Sequence, residues 1–273
     1  MSLDLSREQL DRYARHIIMD EVGPAGQANL LEGRVLVVGA GGLGSPVLQY
    51  LAAAGVGHIG IVDDDVVERS NLQRQVLHRE QDIGRAKVDS ARGALEALNP
   101  DIDVEPYDCR LDETNVTEMI VGYDVVVDCS DNFPTRYLVN DACTLAGTPF
   151  AHGAVLRFEG QITSFEATEA GPCYRCLFPS APEPGTVPDC ATAGVLGVLP
   201  GTVGTIQATE AIKLLLGYGR SLDGRFLIYD ATALSFETVA IESRPDCPVC
   251  QPGGIDAIEE VTYESTCAVT TRR

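Results

Sequence analysis

Residues 34–38 (RVLVV) run without a polar break into Gly39-Ala40-Gly41-Gly42-Leu43-Gly44. The apolar run reads as a buried strand, and a helix is expected from about Ser45 to Ala54. Ile59-Gly60-Ile61-Val62 reads as the next strand, and it ends in Asp63-Asp64-Asp65. Strand, glycine turn, helix, strand and acid in this order form a nucleotide-binding βαβ unit. The glycines let backbone N–H groups approach phosphate at a helix N-terminus. The acid at the end of the second strand can accept hydrogen bonds from ribose hydroxyls.

The unit alone does not choose the nucleotide, and an NAD-dependent oxidoreductase is the first reading it suggests. The following residues argue against that reading. Ser70-Asn71-Leu72-Gln73-Arg74-Gln75 and Gly84-Arg85-Ala86-Lys87 place Asn, Arg and Lys where they could converge on a triphosphate. Arg supplies a planar fork and Lys a point charge. The pyrophosphate of a dinucleotide needs no such set beyond the glycine turn. A third apolar strand, Val125-Val126-Val127, leads into Asp128-Cys129-Ser130-Asp131-Asn132. A carboxylate at a strand's carboxyl end lies where doubly wound sheets bind ligands, so Asp131 could hold Mg²⁺ on phosphates. The same residues make a good helix start before Phe133-Pro134, and both roles can be shared between neighbours.

Charge sharpens the reading. Forty acidic residues face twenty basic ones, for a net charge of −20. Only two of the basic residues are lysines, Lys87 and Lys213. An acidic, lysine-poor surface suits a cytoplasm of very high salt, where screening removes self-repulsion. Direct nucleic-acid binding is not expected, because no basic face exists to meet phosphates. The polar start and the absence of a long apolar run predict no signal peptide and no membrane span. A lysine that survives in such a composition is expected to have a specific task.

Four of the nine cysteines form two C-x-x-C pairs, Cys173/Cys176 and Cys247/Cys250. This spacing lets both sulfurs of a pair reach one tetrahedral Zn²⁺, and two pairs leave no open position for water. A structural zinc is therefore expected. Redox-active dithiols would need a thioredoxin-like context that is absent. Cys190 follows a Pro/Gly-rich stretch (FPSAPEPGTVP) that reads as a mobile loop, and it stands outside both pairs. Residues around Phe150–Phe165 and Arg225–Glu242 alternate like β-hairpins, expected to continue the sheet as a platform for a protein substrate. Gly201–Leu216 reads as a helix whose apolar end (Ile212, Leu214, Leu215, Leu216) belongs to the core.

Eight segments occur together and in order: Arg12-Tyr13-Ala14-Arg15-His16, GAGGLGSPV, SNLQRQ, GRAKV, DCSDN, CYRC, DCATAGVLG and CPVC. Over about residues 5–251 the chain resembles the MoeB/ThiF adenylyltransferases related to ubiquitin-activating enzymes. Its acidity is similar to that of a halophilic archaeal member. The resemblance implies a doubly wound Rossmann-like α/β sheet, parallel in its first half and continued by antiparallel strands. It implies one adenylation domain over 1–251, with a nucleotide half at about 1–150 and a protein-substrate and zinc half at about 151–251. The tail, 252–273, lies beyond it and is expected to be loosely ordered.

The resemblance also implies binding of Mg·ATP and adenylation of the C-terminal glycine of small ubiquitin-fold carriers ending in Gly-Gly. Such carriers serve molybdopterin synthesis, tRNA thiolation and protein conjugation. It places Gly42 near the phosphates and Asp63 on the ribose. Asn71, Arg74 and Lys87 take the phosphates, Asp131 takes Mg²⁺, and Ser70 and Asn132 belong to the same set. Arg15 matches an arginine that reaches the partner subunit's ATP site, which implies a homodimer. His16 stands where many relatives have Gln. Cys190 matches the catalytic cysteine, for a thioester or for sulfur transfer. Longer relatives carry a sulfurtransferase domain beyond this point, so a separate persulfide donor is expected. A zinc-stabilised scaffold without catalysis is the remaining alternative, and it would need none of Arg15, Arg74, Lys87, Asp131 or Cys190.

Overall fold

The computed structural model describes residues 5–168, 171–182 and 193–263. Eight strands form one sheet in the order β3-β2-β1-β4-β5-β6-β7-β8. They are β1 (Arg34–Val38), β2 (His58–Val62), β3 (Asp103–Tyr107), β4 (Val125–Asp128), β5 (Phe150–Leu156), β6 (Glu159–Phe165), β7 (Arg225–Asp230) and β8 (Ser235–Ala240). Strands β1 to β5 pair in parallel. From β5 onward every pairing is antiparallel. The two expected hairpins are thus β5–β6 and β7–β8. The first strand of the first hairpin also closes the parallel part by pairing with β4.

The apolar run of β1 is continuous because both of its faces are covered. Val35 and Val37 enter one core cluster, and Leu36 and Val38 enter the other. The first face is covered by α3 (Gly23–Glu32), α4 (Gly44–Ala54), α5 (Lys87–Leu98) and α9 (Val198–Leu216). The second is covered by α6 (Val116–Val121), α7 (Phe133–Ala146) and the short α8 (Tyr174–Leu177) with the cysteine loops around it. Two short N-terminal helices, α1 (Arg7–Arg12) and α2 (Ala14–Ile17), lead in.

Helix α9 begins at Val198, three residues before the expected start. Pro200 lies within its first turn, where N–H groups lack intrahelical acceptors and a proline costs little. Its apolar end packs against the core as expected. Residues 252–263, expected to be loosely ordered, lie against the second core. Ile258 is buried there, and the Tyr263 hydroxyl donates to Asp141 Oδ2 at 2.6 Å.

Strand order reverses between β1 and β4: the chain builds outward from β1 through β2 to β3, then returns to β4. Open α/β sheets bind ligands at this switch point, beyond the carboxyl ends of the strands. The glycine turn after β1, the acids after β2 and the turn after β4 all emerge there.

Candidate nucleotide site and cysteine cluster

A cleft of about 360 Å³ opens at the switch point. Gly39 and Gly41 border it beside Asp63, Lys87, Ser130, Asp131 and Asn132. Gly39 has a φ of +98°, a conformation that disfavours any side chain. A Cβ on Gly44 would lie 2.0 Å from the Gly39 carbonyl oxygen, so only glycine lets α4 start this close to the turn.

The Asp63 carboxylate is pinned by backbone donors, the Ala40 N–H at 2.7 Å and the Asp65 N–H at 2.9 Å. Burial pushes its pKa up, while Lys87 and these two donors pull the other way. Lys87 is the first residue of α5, and its own N–H donates to the Asp65 carbonyl at 2.9 Å. Its buried ammonium lies 2.7 Å from Asp65 Oδ2 and 3.7 Å from Asp63 Oδ1. His78 supports the turn from behind, with Nε2 2.9 Å from the Ala40 carbonyl and Nδ1 2.9 Å from Ser90 Oγ. Burial lowers its pKa, so the ring is neutral and carries its proton on the nitrogen facing the carbonyl.

Asp131 and Asn132 divide the two roles open to their segment. Asn132 caps α7, its side chain accepting from the Thr135 N–H at 3.0 Å. Asp131 is exposed on the cleft wall, and no described side chain engages it. A free carboxylate there suits a hard oxygen-seeking cation such as Mg²⁺. Asp63 and Asp65 are instead partnered by Lys87.

Ser70, Asn71 and Arg74 lie on and just after a single 3₁₀ turn, Arg69–Asn71. The Glu68 N–H donates to Asn71 Oδ1 at 3.1 Å, and Ser70 Oγ donates to Glu68 Oε2 at 3.1 Å. Arg74 Nη1 donates to the Ser70 carbonyl at 3.3 Å. A Cβ built on Gly42 would lie 3.5 Å from Arg74 Cγ, so this arginine flanks the glycine turn.

The four paired cysteines converge. Cys173 Sγ lies 3.5 Å from Cys247 Sγ, and Cys176 Sγ lies 3.4 Å from Cys250 Sγ. All four sulfurs fall within 4.8 Å of one another. A tetrahedron of Zn–S bonds of about 2.3 Å has edges of about 3.8 Å, so the set fits one zinc ion with all positions filled. The Arg244 N–H points at Cys176 Sγ at 3.4 Å, a contact that favours thiolate. Burial and the neighbouring sulfurs push the Cys173 thiol far up, a cost that a bound cation would offset. Between the first two cysteines, Arg175 makes a bidentate pair with Asp141 on α7, at 2.7 and 2.6 Å. Asp141 is fully buried and also accepts from Asn140 and Tyr263.

The family model described as "ThiF family" matches residues 13–249. The chain belongs to the ThiF family. Among its relatives, the SAMP-activating enzyme E1 of Haloferax volcanii is 63% identical over 270 residues, spanning 99% of both chains. The sulfur carrier protein adenylyltransferase of Thermus thermophilus is 52% identical over 268 residues, 97% of this chain and 98% of that one. The adenylyltransferase and sulfurtransferase MOCS3 of Mus musculus is 49% identical over 265 residues, 96% of this chain and 57% of that longer protein. The crystal structure of E. coli MccB superimposes with a TM-score of 0.79 at 22% identity, over 93% of this chain and 75% of that one, which shows the shared fold.

Within this ThiF-family chain the cleft gathers Asp63, Lys87, Asp131 and Asn132 directly. Gly42 belongs to the glycine turn with Arg74 against it, and neither they nor Ser70 and Asn71 line the cleft wall. Arg15 is exposed on α2 and does not border the cleft of its own chain. Cys190 lies outside the described residues. Sequence reasoning singled out neither Gln75 nor Arg110, which both line the cleft. Gln75 is buried and its Oε1 has no partner among the described residues, and it closes the same SNLQRQ segment that supplied Asn71 and Arg74. Arg110 arrives from beyond β3 and carries no local motif. Lys213, the second rare lysine, serves the fold by pairing with buried Glu210.

Proposed function

We propose that this chain is an ATP-dependent adenylyltransferase acting on the C-terminal carboxylate of small ubiquitin-fold sulfur carriers that end in Gly-Gly. The observation that carries the reading is the meeting in one cleft of the glycine turn, Asp63, the buried Lys87 ammonium and the free Asp131 carboxylate. The names of full-length relatives support the same chemistry.

In this reading Asp63 accepts hydrogen bonds from the ribose hydroxyls, and the glycine turn receives the phosphates. Lys87 leaves Asp65 for a phosphate oxygen, and Arg74 and Asn71 swing from their turn toward the same group. Asp131 holds Mg²⁺, which supplies charge neutralisation on the phosphates when bound. A carrier carboxylate oxygen attacks the α-phosphorus, the bond to the bridging oxygen breaks, and pyrophosphate leaves with the electron pair. The attack brings one anion onto another, and in a chain of net charge −20 the relief must be local. Positioning of the two reactants supplies the rest. Arg15 completes the site of a second copy, which makes the active unit a homodimer. The Cys190 thiolate attacks the carbonyl of the acyl-adenylate and expels AMP to form a thioester, or joins sulfur transfer from a separate persulfide donor. The cysteine cluster holds a structural Zn²⁺. The pathways served are molybdopterin synthesis, tRNA thiolation and carrier conjugation in a salt-rich cytoplasm. Among the described residues no helix is long and apolar enough to cross a membrane.

Exchange of labelled pyrophosphate into ATP, measured at molar KCl with and without a Gly-Gly carrier, tests the reading. Carrier-dependent exchange that falls in Lys87→Met is expected. No exchange with several such carriers, or NAD binding indifferent to Lys87, would overturn it.

A further inference from the structure

One buried chain of contacts joins the nucleotide cleft to the cysteine cluster. Asp128 ends β4 and is 1% exposed. Its Oδ1 accepts from the Ser130 N–H at 3.0 Å and from the Ser130 hydroxyl at 2.6 Å. Its Oδ2 lies 2.8 Å from His152 Nδ1 on β5, so that nitrogen carries the proton. The His152 ring is equally buried and packs against the Tyr174 ring with centroids 4.8 Å apart. Tyr174 stands between Cys173 and Cys176, its N–H held by Asn140 Oδ1 at 2.7 Å. The Asp128 carbonyl is itself held, by the Gln207 amide at 2.7 Å.

Both carboxylate oxygens of Asp128 are thus engaged by the protein, and Asp128 does not border the cleft, whereas Ser130 and Asp131 do. Burying a carboxylate costs several kcal/mol before its partners compensate, and apolar side chains can fill such a volume without that cost. What the carboxylate adds is geometry. It ties the backbone and side chain of Ser130 two residues on, and so shapes the turn that presents Asp131.

We propose that the Asp128–His152 pair is a positioning device for the nucleotide site, fixing the Cys129–Asn132 turn so that the Asp131 carboxylate faces bound Mg²⁺, with Tyr174 bracing the pair against the cysteine cluster. Both are positioning residues, and neither touches substrate. The inference rests on the nucleotide reading of the cleft.

Two substitutions separate geometry from bulk. His152→Leu fills the ring's volume without a donor, and His152→Asn restores an N–H toward Asp128. Calorimetry of ATP binding across a Mg²⁺ series gives a readout independent of turnover. His152→Leu should raise the Mg²⁺ concentration needed for half-maximal binding about tenfold, the usual scale for outer-shell partners. Binding of ATP in EDTA and the bound zinc content should stay unchanged, and His152→Asn should recover most of the loss. A folded His152→Leu protein with an unchanged Mg²⁺ requirement overturns the proposal, as does a His152→Asn protein equally impaired. Should His152→Leu not fold, Ser130→Ala deletes one of the two bonds to Asp128 and must raise the same requirement about threefold, the value of one hydrogen bond; no change there also overturns it. Wild-type protein that binds no ATP refutes the nucleotide reading itself, whereas equal binding by wild type and variants refutes the positioning device alone.

Discussion

Lys87 is the most exposed point of the account to experiment, although its side chain is only 7% exposed to solvent. Lys87→Met keeps the length and packing of the side chain and removes the charge. Two consequences follow from its partners. In the free protein the ammonium sits 3.7 Å from Asp63 Oδ1, whose side chain is 9% exposed. Coulomb's law at an effective dielectric of about 20 gives roughly 4.5 kcal/mol at that distance. The bond to Asp65 adds little, since that carboxylate is 68% exposed. Part of the Asp63 loss is recovered because the backbone donors of Ala40 and Asp65 remain, so a net destabilisation of about 1–3 kcal/mol is expected. In the adenylation reading proposed above, the same charge faces phosphate in the transition state. Removing one such pre-placed group costs about 10²–10³ in rate, or roughly 2.7–4 kcal/mol. Lys87→Met should therefore remain folded at molar KCl, melt a few degrees lower, and lose at least a hundredfold in pyrophosphate exchange. A stable Lys87→Met protein with exchange within about threefold of wild type would refute the assignment of Lys87 to the phosphates.

Other outcomes follow from the same geometry. Asp65→Asn removes the competitor that holds Lys87 before nucleotide arrives; an exposed pair is worth up to about 1 kcal/mol, so ATP should bind up to about fivefold more tightly by titration. Asp141→Ala leaves Arg175 unpaired beside the cysteine loop and should cost about 3–5 kcal/mol, read by denaturant unfolding, together with weaker zinc retention against chelator. His78 and His152 are both buried with pKa values lowered by burial. The unfolded chain therefore binds more protons than the folded one below the ordinary histidine value of about 6.5, and stability should fall by up to about 2.7 kcal/mol per pH unit as pH drops below that point. Melting curves of wild type and His152→Asn between pH 7.5 and 5.5 check the slope, which should flatten in the variant. Association with an acidic carrier should strengthen as salt rises, because screening removes its repulsion from this chain of net charge −20; weakening in a salt series would contradict it.

How much of this could be read in the sequence depends on how local each feature is. The strand, glycine turn and acid of residues 34–65 are contiguous, so their pattern revealed the βαβ unit and the residues that border one edge of the cleft. The cysteine pairs carried their own spacing, and their convergence needed only that one ion be shared. Asp131 and Asn132 were legible as a pair of roles, and the structure gives the helix cap to Asn132 and leaves Asp131 exposed on the cleft wall. Gln75 and Arg110 escaped because their place on the cleft is made by tertiary packing. The Asp141 network escaped for the same reason, since it joins residues 34 and 122 positions apart. The rarity of lysine drew attention to two positions, but composition could not say that Lys213 neutralises a buried glutamate on its own helix while Lys87 faces the cleft.

The central claim is that the cleft transfers AMP to a carrier's C-terminal carboxylate. Mass spectrometry of a Gly-Gly carrier, incubated with this protein, ATP and Mg²⁺ at molar KCl and quenched in acid, tests it most directly. The account predicts a carrier heavier by one adenylyl group, lost on removal of its C-terminal glycine and absent with Lys87→Met. A carrier of unchanged mass under conditions where ATP is bound would contradict it.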